Sequence, residues 1–129
     1  LYDKLAAIRC RKLIFLDACH SGEATFNPVR SLTPGGVGPI IYAACDRSEL
    51  AYEHPTKKNG LFTLAVLHAL GEGFPEADRD RDGQIDSREL IDSIRRKMPD
   101  LLRETGRSED LQNPQCFPRQ PERFPVFRP

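Results

Sequence analysis

Two short, unbroken apolar runs constrain this 129-residue chain more than anything else in it. Lys12 to Ala18 reads KLIFLDA and Pro39 to Cys45 reads PIIYAAC, both rich in strand-forming residues. A strand with one face in water alternates apolar and polar side chains. A run without that alternation is what a strand covered on both faces looks like, as in the middle of a parallel sheet. Between the two runs, residues 22–38 hold Gly22, Pro28, Pro34, Gly35, Gly36 and Gly38, the composition of a long loop.

The remaining pattern supplies helices to cover such a sheet. Leu1, Leu5 and Ile8 stand at helical spacing and mark the end of an amphipathic helix over residues 1–8. Asn59-Gly60 introduces an apolar helix, Leu61 to Leu70, closed by Gly71. An acidic stretch follows, and then a helix running to about Met98 that Pro99 is expected to end. Five of the eleven prolines lie beyond Asn113, where FPVF (124–127) has room only for a short edge strand. The order predicts an α/β fold, an open, mostly parallel sheet flanked by helices. Two buried strands and an edge are few for such a sheet, so the chain reads as part of one domain.

Composition narrows the function classes. Nineteen basic residues balance nineteen acidic ones, which argues against a protein that coats nucleic acid or an anionic membrane. No apolar run approaches the roughly 20 residues of a membrane span, and the first residues lack the order of a signal peptide. Four cysteines, at positions 10, 19, 45 and 116, are too sparse for a disulfide scaffold; the expected compartment is reducing, and the expected location cytoplasmic.

The first candidate site is Asp17-Ala18-Cys19-His20-Ser21-Gly22, directly after the first apolar run. Catalytic groups in open α/β sheets gather beyond the carboxyl ends of the strands. Side chains alternate along an extended chain, so Asp17 and Cys19 share a face. A cysteine nucleophile needs a base to take its proton, and the Cys19 N–H is suited to hold the oxyanion that forms. None of the three histidines serves as that base: His20 points away from Cys19, His68 falls on an apolar helix face, and His54 sits in a loop before Pro55, where it is expected to be solvated.

D-A-C-H-S-G after a hydrophobic strand resembles the catalytic-cysteine motif of the caspase-like cysteine peptidases, in their metacaspase and orthocaspase branch. Three later segments resemble the same family in order: I-Y-A-A-C-D-R-S-E-L-A-Y-E (41–53), N-G-L-F-T-L-A-V-L-H-A-L (59–70) and Q-N-P (112–114). The resemblance implies a caspase-like fold. Residues 1–38 would be the end of a large-subunit-like region and 39–129 a small-subunit-like region. It also implies a Cys-His dyad with Cys19 as nucleophile, and a histidine supplied by an N-terminal segment or a companion chain. Substrates would be proteins or peptides cut after Arg or Lys. Asp17 would accept the basic side chain, helped by Asp46 and Glu49 beyond the second strand. Self-cleavage in relatives makes Arg30-Ser31 and Lys57-Lys58 candidate processing sites.

The second candidate site is Asp78 to Glu89, D-R-D-R-D-G-Q-I-D-S-R-E. It fills the EF-hand calcium pattern, with acids at loop positions 1, 3, 5 and 9, glycine at 6 and glutamate at 12. Asp78, Asp80, Asp82, Gln84, Asp86 and Glu89 are the candidate ligands, all hard oxygens, with Gln84 contributing a carbonyl and Asp86 acting through a water. Arg79, Arg81 and Arg88 relieve part of the repulsion among the acids. Gly71, Gly73 and Pro75 break the entering helix, and the loop is single where such loops usually pair. No organic cofactor is indicated. The expected function is a calcium-modulated cysteine endopeptidase. The alternative is a non-catalytic caspase-like protein or a calcium-responsive binding module.

Overall fold

In the computed structural model, which describes residues 7–8, 10–18 and 38–129, both apolar runs form strands. Strand β1 is Leu13–Leu16 and β2 is Ile40–Ala43, paired in parallel from Leu13 opposite Ile40 to Leu16 opposite Ala43. Every residue of β2 is buried, as the unbroken run predicts. β1 is only half covered: Phe15 is 42% exposed and stacks on Tyr42, ring centroids 5.0 Å apart. Among the described residues β1 is an edge, with order β1-β2-β4. Residues 1–6 of the expected opening helix, Cys19, His20 and the loop through residue 37 lie outside the described residues.

Five strands and three helices are described. After β2 come helix α1 (Leu61–Leu70), the four-residue α2 (Phe74–Ala77), strand β3 (Ile85–Asp86) and the 18-residue α3 (Ser87–Glu104). Strands β4 (Gln115–Phe117) and β5 (Pro125–Phe127) close the order. The fold is α/β, as expected, but the sheets are mixed rather than mostly parallel. β4 lies antiparallel to β2, Tyr42 opposite Cys116, on the side away from β1. FPVF does form a strand, yet its partner is β3 in the acidic loop, making a separate two-stranded sheet.

The helices form because their apolar residues recur every three or four positions. Leu90, Ile91, Ile94, Met98, Leu101 and Leu102 of α3 are all buried, as are Leu61, Phe62, Ala65 and Ala69 of α1. They pack with Ile40, Tyr42 and Ala44, one face of the β2 segment, into a single cluster. Contrary to expectation, α3 does not stop at Pro99 but runs five residues past it to Glu104. An interior proline costs roughly 3 kcal/mol. Burying Leu101 and Leu102 returns about 1.5–3 kcal/mol each, enough to carry the helix on. Arg95, Arg96 and Lys97 are therefore mid-helix rather than at its C-terminus. Arg95 Nε donates to Pro114 O and Arg96 Nη2 to Glu76 O. No described helix is long and apolar enough to cross a membrane.

Candidate functional site

Asp17 sits one residue beyond β1, at the carboxyl end of the parallel pair. Its Oδ2 accepts from Thr63 Oγ1 at 2.5 Å and from Thr63 N at 3.3 Å, so the carboxylate caps the first turn of α1 from across the sheet. The helix has no side-chain cap of its own, because Gly60 occupies the N-cap position. Glycine there has a steric reason: a Cβ would collide with the Asp17 carboxylate. Cys45 Sγ, at the end of the second run, lies 3.7 Å from Ala18 O and binds the two strand ends together.

A cavity of about 340 Å³ opens beside Asp17, lined also by Tyr52, Glu53, Lys58, Asn59 and Thr63. Glu53 was not among the sequence candidates. It reaches the cavity because residues 53–60 fold back on themselves: Glu53 bridges Gly60 antiparallel, and His54 N donates to Asn59 O at 2.9 Å. The reversal is made by Pro55–Lys58, with Lys58 at φ +54°, and no short turn motif announces it in the sequence. His54 is not solvated. Its side chain is 9% exposed, its Nδ1 accepts from Thr56 N and Lys57 N, and its Nε2 lies 3.7 Å from Glu104. His68 packs as expected, its ring against Gly73 and its Nδ1 3.0 Å from Glu72. Lys57 is ion-paired with Glu104 at 3.0 Å, and Lys58 lines the cavity.

Asp46 and Glu49 do not line this cavity. Glu49 Oε2 accepts from Asp46 N at 3.1 Å and Asn113 N at 2.7 Å, while Oε1 accepts from Asn113 Nδ2 at 2.6 Å. Asp46 Oδ1 accepts from Arg47 N. The pair fastens the turn after β2 to the Gln112-Asn113-Pro114 segment. Gln112 has a larger part: Nε2 donates to Ala44 O at 3.0 Å and Oε1 accepts from Tyr52 N at 2.9 Å. It ties the end of β2 to the cavity wall, where Tyr52 lies 4.6 Å beneath the Arg107 guanidinium. Cys19 lies outside the described residues, two positions along the chain from Asp17.

The acidic loop adopts the turn its pattern calls for. Asp78 is buried, and its two oxygens accept from Asp82 N at 3.1 Å and Gly83 N at 3.0 Å. Gly83 takes φ +84°, a left-handed conformation that costs glycine nothing. One oxygen each of Asp78, Asp80 and Asp82 lies within 4.8 Å of the other two, so the triad is placed to hold a metal ion. Gln84 Nε2 donates to Asp82 Oδ2 at 2.9 Å, which leaves the Gln84 carbonyls rather than the amide nitrogen as metal donors. Glu89 Oε1 accepts from Arg79 N and Oε2 from Asp86 N, while Asp86 Oδ1 accepts from Arg88 N and Glu89 N. This is a capping box that starts α3. As expected, the entering helix is a single turn, α2. The donor set is entirely oxygen, which suits a hard cation such as calcium or magnesium and not zinc or copper.

Among the described residues, the cation ion-paired with these acids is Arg123 rather than an arginine within the loop. Arg88 Nε donates to Pro121 O. Arg123 reaches in from the C-terminal segment, Nε to Asp86 Oδ2 at 2.5 Å and Nη2 to Asp80 Oδ2 at 3.2 Å. Partial burial would push the Asp86 carboxyl up; the Glu89 N–H, the Arg123 guanidinium and the Arg88 N–H outweigh it and hold the group below the usual carboxylate range. No family model matches the chain, and neither a curated protein nor a solved structure does.

Proposed function

We propose that the chain is the nucleophile-bearing part of a caspase-like cysteine endopeptidase that cuts after arginine or lysine. The observation that carries this reading is the cavity at the carboxyl end of β1, where Asp17, the first residue of D-A-C-H-S-G, and Glu53 present two carboxylates. A basic substrate side chain entering it would meet two negative charges and one positive, Lys58. Cys19, deprotonated by a histidine from a segment or chain outside these 129 residues, adds to the scissile carbonyl. The amine leaves with the histidine's proton, and water then releases the acyl group from sulfur. Asp17 has a second task here, since it also caps α1. That coupling fixes its carboxylate toward the cavity rather than leaving it to rotate in solvent.

Within the same reading, the Asp78–Glu89 loop binds calcium and modulates activity. Asp78, Asp80 and Asp82 give single oxygens, Gln84 a carbonyl and Glu89 the closing carboxylate. The binding-module alternative is supported by one observation, that Asp78, Asp80 and Asp82 bring an oxygen each within 4.8 Å of one another with no other residue's help among the described residues.

The test is cleavage of fluorogenic peptides with Arg, Lys or Asp before the scissile bond, in protein carrying its histidine-bearing segment. Cys19→Ala should abolish turnover. Asp17→Asn and Glu53→Gln should each cut the Arg rate up to about fivefold, the range for removing one partner of a solvent-exposed charge pair, while Cys19 remains alkylatable. Glu53→Gln leaves the α1 cap intact, so it separates specificity from folding. Undiminished Arg preference in both variants would sink the assignment.

A further inference from the structure

The last turn of α1, the short α2 and the middle of α3 surround a second cavity, of about 360 Å³, at the opposite end of α1 from the turn that Asp17 caps. Ser93, Arg96, Lys97 and Asp100 line it from α3, at positions i, i+3, i+4 and i+7 of one helix stripe, and His68 and Glu76 line it from α1 and α2. Ser93 is 6% exposed, and its hydroxyl makes no hydrogen bond among the described residues. Thr105, by contrast, returns its hydroxyl to Leu102 O at 2.9 Å, an ordinary course for such a group in or beside a helix. Every fully sealed side-chain oxygen or nitrogen among the described residues has a partner. The Ser93 oxygen is therefore not sealed but open to the cavity it lines, withdrawn from bulk water and without a bond inside the chain. An unpaired polar group in that position costs free energy that a ligand would recover.

The groups around Ser93 sort into two kinds. Arg96 Nη2 donates to Glu76 O at 3.2 Å, which fixes the guanidinium against α2 and leaves its other N–H groups for a ligand. Lys97 adds an ammonium, while Asp100 is occupied by Arg103 at 3.0 Å. With the Ser93 hydroxyl, these are donors suited to an anion. The other kind accepts. His68 Nδ1 lies 3.0 Å from Glu72 Oε1; a carboxylate only accepts, so Nδ1 carries the hydrogen and Nε2 of the neutral ring is an acceptor. The Glu76 carboxylate is a second acceptor, with no side-chain bond among the described residues. A bare anion would leave both acceptors unpaired, and an uncharged ligand would leave both cations so. We propose that this cavity binds a small phosphorylated polyol of the sugar-phosphate class, with its phosphate on Ser93, Arg96 and Lys97 and its hydroxyls on His68 and Glu76. The volume lies within the range of small-molecule sites, about 300–1,000 Å³, and leaves room for a sugar beside the phosphate. The site is independent of the peptidase reading, because none of its residues lines the Asp17 cavity.

Calorimetric titration of the full chain with ribose 5-phosphate, inorganic phosphate and ribose, at matched ionic strength, tests the site. Ribose 5-phosphate should give saturable heat, inorganic phosphate should bind at least about tenfold more weakly and ribose should give none. Ser93→Ala should weaken ribose 5-phosphate about tenfold, the range for a hydrogen bond to a charged group, and leave the urea midpoint where it was, since the hydroxyl bonds nothing in the ligand-free chain. Arg96→Gln and Lys97→Gln should each cost up to about fivefold, as exposed cations do. Glu76→Ala should narrow the preference for ribose 5-phosphate over inorganic phosphate, because it removes an acceptor that only the sugar uses. Absence of heat with both phosphate probes overturns the site. Equal affinity for the two overturns the sugar-phosphate assignment, and so does a Ser93→Ala protein that binds like the parent or has a lower urea midpoint.

Discussion

The amide of Gln112 is engaged at both ends with backbone, Ala44 O on one side and Tyr52 N on the other, and its side chain is 1% exposed. Replacing it by alanine strands a buried carbonyl and a partly buried N–H. An unsatisfied buried group costs about 1–3 kcal/mol and the partly buried one sits at the low end, so Gln112→Ala should lose about 2–4 kcal/mol in urea denaturation. Loss under 1 kcal/mol would mean that water takes over both groups. Residue type and order made Gln112 noticeable through the Q-N-P resemblance, but its task was not legible, because its two partners are 60 and 68 positions away. Asp17 was better specified. Strand alternation put it at the sheet rim, although nothing local announced that it would cap α1. Glu49 reads in the sequence as one more acid after a strand, and only the fold reveals Asn113 between its oxygens.

Among the elements, α3 separates local signal from tertiary outcome. Its start is written in sequence: Asp86 and Glu89 form the capping box that the S/T/D-x-x-E spacing announces. Its end is not, because Pro99 is a stop signal that the core overrides. Restoring the missing N–H with Pro99→Ala should stabilise the protein by about 2 kcal/mol, the helix gain less the 0.4–1 kcal/mol by which proline restricts the unfolded chain. A drop in melting temperature would show that the packing of the Pro99 ring outweighs the restored hydrogen bond. Strand β4 escaped notice for the opposite reason. Three residues between Pro114 and Pro118 are too few to display a period of two, and pairing with β2 rather than propensity creates the strand.

At the scale of the whole molecule, burial of two titratable groups in one core sets an alkaline limit. Cys116, opposite Tyr42 across β4 and β2, is pushed by burial from its usual 9 up to about 12 despite the nearby Arg95 charge. Burial likewise raises the Tyr42 hydroxyl above its usual 10, and that hydroxyl donates to Ser87 O at 3.0 Å. Both groups ionise more readily in the unfolded chain than in the folded one. Their contribution to stability is therefore full below pH 9 and is lost as pH rises toward 12, Cys116 first and Tyr42 above 10. The slope should be about 1.4 kcal/mol per pH unit for each group while it titrates. Urea midpoints measured from pH 8 to 11 should fall accordingly, and Cys116→Ala should remove the earlier part of the decline. A flat profile in the parent protein would contradict this burial.

The sequence by itself determined the local facts: two apolar strands, the helix at Leu61–Leu70, the start of α3 and the acidic loop with its glycine. Each depends on neighbours within about twelve residues, and short-range backbone and hydrophobic preferences are enough to express them. Tertiary structure alone decided the pairings. It sent FPVF to the acidic loop instead of the main sheet, carried α3 past its proline, brought Glu53 beside Asp17 and put Arg123 against Asp80 and Asp86. The physical reason is common to all four. Burial energy and Coulomb attraction act between residues the fold makes adjacent, and distance along the chain carries no information about that adjacency.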